Sequence, residues 1–446
     1  MKISLHNTSL DRSGKTPLTA QLQQLIDEID RAGGGTLVVP SGDWMTGTLI
    51  LPSNFTLHLE AGARLLASPN AEDYPQTLTQ TVAELSRMAL IYARDAHHIT
   101  LSGEGSLVGG ASAWFSASAD DQGYRQPRTM RPRMLVLEGC QQVRIRDITI
   151  SDSPMWTAHL VSCNQVFIQN LTIDNDLALS NTDALDIDSC QHVHISDSYF
   201  SAADDGICIK TTRKPEGLQQ ATRHVVVSNC LIRSKSCAIK VGTETFADIS
   251  HIAVHNCSIF ESNRGIGLVS RDGGQFSQMI FSNILFDCRH GHPCHWGKAD
   301  PVFISVRHRD PQIQPGRVED ITFSQLSGVG EGAINLHSET PGDIRHVTFN
   351  SLSLQQLAGP SDEQGCYDIR PPCNPASPTG MGLDNAYRVN LQTGRAWGVE
   401  VYPGGLPALY ANGVRGLTLN DLRIRRPQPL PQGWNSNTIV QENADA

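Results

Sequence analysis

The feature that most constrains this chain is a repeat. Runs rich in β-branched residues recur, each with Asn or Asp at the bend: Val143–Ile150, Val166–Ile173, Val193–Phe200, Val225–Ile232, Ile252–Ile259 and Met279–Phe286. Successive starts lie 23, 27, 32, 27 and 27 residues apart, and weaker copies begin at Ile99, Ile321, Val347 and Leu417. Within each run apolar and polar positions alternate, as in a strand with one buried face. A period of about 25 residues built from short strands is a solenoid signature. Asn and Asp suit its bends because they tolerate left-handed backbone and bond it locally. The Leu-x-x-Leu-x-Leu pattern of leucine-rich repeats is missing. The expectation is an all-β chain, a single-stranded right-handed parallel β-helix forming one domain over residues 1–446.

Solenoid ends need covers. Thr16-Pro17, then Leu18, Leu22, Leu25, Ile26 and Ile29, then Gly33-Gly34-Gly35, predict a capping helix over about 16–32. Three stretches break the period, at about 107–135, 287–318 and 353–412. They read as long inserts walling a binding site. The tail 425–446, with Pro427, Pro429 and Pro431, reads as irregular.

Charge and cysteine usage narrow the function classes. Lys and Arg total 35 against 45 Asp and Glu, a net charge of −10 with no basic run, which excludes an ordinary nucleic-acid binder. No apolar run reaches the roughly 18 residues of a membrane span. Met1–Thr8 has no basic stretch leading into an apolar core, so a cleaved secretion signal is not indicated. Eleven Cys occur without a C-x-x-C pair, which points to reduced thiols in the cytoplasm rather than a zinc site or disulfide framework.

Aligning the rungs on their inward pairs (Ala158/Leu160, Leu185/Ile187, Ile207/Ile209, Ile239/Val241, Ile266/Leu268) exposes two outer columns. One reads Trp156, Asp183, Asp205, Cys237, Arg264; the other reads His159, Asp186, Cys208, Lys240. Rungs stack roughly 4.8 Å apart, which sets Asp183 and Asp205 close together with Asp204 beside them. Carboxylates this close repel, raising the proton affinity of at least one. That difference is what separates a general acid from a general base. Inverting glycoside hydrolysis uses such a pair with carboxyls roughly 6.5–9.5 Å apart. A plain Asp/Asn ladder satisfying backbone groups is the competing reading. The company of Trp156, His159 and Lys210 favours a site.

Asn181-Thr182-Asp183, with Asp204-Asp205-Gly206 following 21 residues after Asp183, resembles glycoside hydrolase family 28, the polygalacturonases and rhamnogalacturonan hydrolases. Gly47–Ala63, Gly103–Gly110 and Ser153-Pro-Met-Trp-Thr-Ala-His159 extend the likeness over about 30–290. The resemblance implies an inverting, metal-free hydrolase needing no cofactor. It casts Asp204 as the proton donor, Asp183 and Asp205 as activators of water, and Asn181 as an ordering residue.

Two motifs of that family are replaced, which marks a divergent branch. The Gly-His-Gly stretch falls on Ser236-Cys237-Ala238, and the carboxylate-gripping Arg-Ile-Lys falls on Gly267-Leu268-Val269. Lys240, Arg264 and Arg271 either replace the lost cations on a substrate carboxylate or pair with Glu244 and Asp272. Cys237 reads as a small buried thiol, since inversion has no covalent step. His290, His292, Cys294 and His295 match no standard zinc spacing. With Trp296 and Lys298 they read as a loop over the cleft, Trp296 stacking on a sugar and Lys298 on a carboxylate. The expected function is hydrolysis of uronic-acid-containing, pectin-derived oligosaccharides, exo-acting. Two alternatives stay open: a calcium-dependent lyase on the same fold with Lys240 or Arg264 as base, and a non-catalytic carbohydrate-binding β-helix.

Overall fold

The computed structural model describes residues 1–77, 86–119, 125–292, 295–360, 365–371 and 389–444. The chain divides into two compact units, Met1–Ala203 with Arg213–Gln220, and Asp204–Thr212 with Ala221–Ala446. Both are built from stacked parallel strands, so the fold class is a parallel β-helix, and crossovers between parallel strands are right-handed. Among the described residues no helix is long and apolar enough to cross a membrane.

In the first unit the helix Thr19–Arg31 buries Leu22, Ile26 and Ile29. Its N-cap is Leu18, without a side-chain bond, and it stops at Ala32 before Gly33 and Gly34, both at positive φ. Inward columns then run through the rungs: Phe55, Ile99, Val143, Val166 and Val193 stack in register, as do Leu57, Leu101, Ile145, Ile168 and Ile195. Asp147, Asn170 and Asp197 turn the chain at φ between 50° and 66°. Asn170 Nδ2 donates to Asp147 Oδ1 at 3.1 Å, joining one bend to the next.

The second unit repeats the plan. Val227, Val254, Phe281, Phe323 and Phe349 form one inward column. Asn229, Asn256 and Asn283 take the left-handed bends. The expected inserts contain rung strands the periodicity had not marked: Asp300–Val306 pairs with Arg264–Ser270, and Leu409–Asn412 pairs with Ile334–Ser338. The tail expected to be irregular adds a strand, Ile439–Glu442, beside Leu409–Asn412.

These strands escaped because each unit has two sheets that present different patterns. Strands such as Gln141–Arg146 alternate between buried and exposed. Those of the other sheet, including Ala158–Val161, Leu185–Asp188, Ile207–Thr211, Arg264–Ser270 and Asp300–Val306, are buried at every position. Their inner face is core, whereas their outer face carries charged groups under covering loops. In each unit this second sheet is called the site sheet below.

The Phe281–Phe323–Phe349 stack has ring centroids 5.2 and 4.8 Å apart. Phe323→Ala should therefore cost about 3–5 kcal/mol, and Phe323→Leu under about 1.5 kcal/mol. Urea unfolding checks this, and an unchanged midpoint for the alanine variant would refute the core assignment.

Candidate functional site

In the first unit Asp183 sits just before Leu185–Asp188 on the site sheet and is buried. The loop carrying it is tied down by its backbone. Thr157 N donates to the Asp183 carbonyl at 2.8 Å, and Asn175 Nδ2 donates to the Thr182 carbonyl at 3.1 Å. Asn181 occupies a left-handed bend at φ 55°, and its Oδ1 accepts from Arg131 at 3.2 Å. Arg131 also holds the Pro154 and Ser180 carbonyls, at 2.9 and 3.0 Å. Sequence reasoning missed this arginine, since it lies in an insert with no pattern.

His159 stacks in register with Asp186, as the columns predict. Its side chain is 2% exposed, and Nε2 lies 3.1 Å from Asp188. Lys214 reaches the other oxygen of the same carboxylate. Burial would raise the Asp188 carboxyl, but Lys214 and His159 overcome it and hold the group far below the ordinary carboxylate range. Trp156 stands edge-on to His159 at 5.1 Å and carries the Arg133 guanidinium 5.1 Å over its ring. Both expected sugar contacts are thus enclosed: His159 orders a buried ion cluster and Trp156 packs against it.

In the second unit Asp204-Asp205-Gly206 leads into Ile207–Thr211. Only glycine fits at 206, where a Cβ would lie 2.5 Å from the Ala238 carbonyl. Asp205 is 1% exposed; Lys240 Nζ meets one carboxylate oxygen at 2.6 Å and Ser236 Oγ donates to the other at 3.1 Å. Asp204 is only half-buried, and its backbone carbonyl accepts from Ser234 Oγ at 2.6 Å. Two adjacent carboxyls therefore live in different surroundings. Ser236, which holds the Asp205 carboxylate, carries no signal beyond its place in the replaced Gly-His-Gly region.

Lys240 also lies 5.2 Å above the Trp296 ring. Burial alone would lower its ammonium, but Asp205, with Cys208 and Asp204, lifts it above the ordinary lysine value. Lys210 sits 3.6 Å from Glu244. Burial works against the Glu244 carboxylate, yet Lys210, Arg309 and Lys240 bring it down to about 2.

The remaining expected cations are turned inward. Arg264 meets Asp300 at 3.2 Å, donates to the Asp368 carbonyl at 3.2 Å and lies 3.7 Å over the Phe303 ring. Arg271 is fully buried and donates to the carbonyls of Ser270, Ser305, Ile369 and Pro371 and to Ser305 Oγ. Neither pairs with Glu244 or Asp272, and Asp272 takes Arg309 at 3.2 Å instead. Lys298 is buried, which lowers its ammonium despite nearby Asp368. As substrate ligands Arg264 and Arg271 are corrected to internal struts, because their donors are already spent on the protein itself, and Lys298 is buried near Asp368.

The family's missing grip is also physically blocked. A Cβ at Gly267 would come within 2.9 Å of Cys237 Sγ and 3.2 Å of Arg264 Cδ. Val269 lies in an apolar cluster with Phe303, Tyr367, Tyr402, Tyr410 and Trp434. Burial, with Asp205 beside it, pushes the Cys237 thiol up to about 12, so it stays protonated at neutral pH. In the histidine patch His290 bonds Glu331 at 3.1 Å, and burial with Arg370 lowers His295 to about 4. Cys294 lies outside the described residues.

The model of the glycosyl hydrolases family 28 matches residues 35–377. A probable polygalacturonase of Vitis vinifera is 27% identical, aligned over 73% of this chain and 72% of that protein. An exo-poly-alpha-D-galacturonosidase of Dickeya chrysanthemi is 23% identical over 78% of this chain and 66% of that one. The solved family 28 exopolygalacturonase of Yersinia enterocolitica shares the fold, with a TM-score of 0.68 and 18% identity, covering 99% of this chain and 78% of that one.

The Glu244 cluster gives a pH prediction. Its folded carboxyl lies below the unfolded value, so its stabilisation is complete above about pH 4.5 and fades as pH falls towards about 2. The shift corresponds to on the order of 3 kcal/mol. Urea unfolding from pH 7 to 3 should show this loss, and Glu244→Gln should flatten it. An equally steep profile in the variant would contradict the assignment.

Proposed function

The chain belongs to the glycosyl hydrolases of family 28, and from that premise we propose that it cleaves glycosidic bonds in uronic-acid-containing oligosaccharides, pectin fragments foremost. The relatives' names, polygalacturonase and exo-poly-alpha-D-galacturonosidase, support that substrate class. Asp204 protonates the leaving oxygen, while Asp205 and Asp183 activate water for attack with inversion, without a metal. Asn181 orders the Asp183 loop; Lys210, Glu244 and Trp296 line the substrate side.

The observation that carries this reading is the unequal setting of Asp204 and Asp205. Asp205 is locked by Lys240 and Ser236, whereas Asp204 reaches solvent, where a leaving group can meet it. Neighbouring carboxyls in contrasting environments can take different acid–base roles. Exo action is supported by the cover on the second unit's site sheet. Tyr367, Tyr402 and Trp434 bury the outer side chains of Val269, Phe303 and Tyr410, which ends an open groove along those strands. A lyase is disfavoured, because Lys240 binds its proton more tightly than an ordinary lysine and Arg264 is buried on Asp300. A cytoplasmic setting, with imported oligomers as substrate, is part of the proposal. The nine described cysteines, all buried, support it.

Asp204→Asn should lower kcat on galacturonate oligomers by roughly 10²–10⁴-fold. Chelator should leave wild-type activity unchanged and no unsaturated product should form. Product chromatography with reducing-end assay checks all three. Full activity of Asp204→Asn, or loss of wild-type activity with chelator, would overturn the mechanism.

A further inference from the structure

Lys240, Arg264 and Arg271 are committed inside the protein, Lys298 is buried and Lys210 is held by Glu244, so a uronate-specific enzyme needs a cation beyond these at its cleft. Three turns of the second unit stack beyond the Asp204-Asp205 pair. Gly206 N donates to the Cys237 carbonyl, Asn263 N to Ser234 and Arg264 N to Ser236, and Arg289 N to Ser262. Between these turns lies a cavity of about 410 Å³ lined by Lys235, Glu261, Asn263, Asp287, Arg289 and His290. That volume falls within the usual range for small-ligand sites.

Its charges are mostly balanced in advance. Arg233 pairs with Glu261, and Arg289 pairs with Asp287 and, at 3.3 Å, with Glu331. Lys235 is half-buried and makes no ion pair among the described residues. It stands between Ser234, which holds the Asp204 carbonyl, and Ser236, which holds the Asp205 carboxylate. The His290 side chain is 5% exposed, with Nδ1 on Glu331. Its Nε2 is buried and has no hydrogen-bond partner among the described residues.

We propose that this cavity is a specificity subsite for a uronate residue next to the scissile bond, with Lys235 taking its carboxylate. The inference rests on the hydrolase reading and names how that site selects an acidic sugar. One rung of roughly 4.8 Å separates the Lys235 turn from the catalytic pair, comparable with the length of one pyranose residue. The Glu261, Asp287 and Arg289 side chains and His290 Nε2 offer partners to its hydroxyls. The arrangement takes over the work of the Arg-Ile-Lys motif, whose positions Gly267 and Val269 are packed against Cys237, Arg264 and the aromatic cluster.

The test uses trigalacturonate and its carboxyl-reduced counterpart. With Lys235→Met, KM for trigalacturonate should rise about 10- to 100-fold with kcat changed less than about twofold, while Lys235→Arg keeps most of the affinity. Calorimetry should show the same weakening when Lys235→Met is added to the Asp204→Asn protein, and no difference with the reduced trisaccharide. Equal KM and Kd in the presence and absence of Lys235 would overturn the subsite and leave the hydrolase standing. Lys235-dependent binding without any hydrolysis by wild type would support the subsite and sink the hydrolase. Absence of both binding and turnover would remove the two together.

Discussion

The buried ion pair between Lys240 and Asp205 is the contact on which the second unit's chemistry depends. At 2.6 Å, with Asp205 almost sealed from solvent, each partner compensates the other's loss of water. Removing either would strand a charge. The pair lets a carboxylate stay buried at the head of a site-sheet strand, next to a second carboxyl that reaches solvent. It also commits Lys240 to Asp205, as Arg264 is committed to Asp300.

The same logic extends outward. Arg264, Arg271 and Arg370 bind the segment Cys366–Pro371 to the site sheet through Asp300, Asp368 and backbone carbonyls. Buried guanidinium groups are tolerable because most of their donors meet oxygen in fixed geometry. This charged layer, together with the tyrosine and tryptophan cluster, roofs the outer face that a simple solenoid leaves open. The divergence from the family therefore has a physical form: the room for the missing motif is occupied by a thiol, an arginine and apolar rings.

Much of the fold was legible because alternation survives in the sheet that faces water. Val143, Val166 and Val193 fall in one column, and Asn170 or Asn256 turns left-handed where the pattern places it. A second series of left-handed residues, including Gln142, Gln165, His192, His224 and His251, was invisible, since His and Gln carry no turn signature. The strand Asp300–Val306 was hidden because burial on both faces erases its period. At the site, the register of His159 with Asp186 and of Cys208 with Lys240 followed from the inward pairs. The partners of these groups did not. Lys214 reaches Asp188 from a turn and Ser236 reaches Asp205 from the next rung, and neither contact has a sequence period.

The most direct test of the account is the anomeric configuration of the first product, followed by NMR as the enzyme acts on a galacturonate oligomer. Direct attack of water, with Asp204 as proton donor, predicts the anomer opposite to that of the substrate bond, appearing before mutarotation. Retention of configuration, or an unsaturated sugar in its place, would contradict the roles given to Asp204 and Asp205.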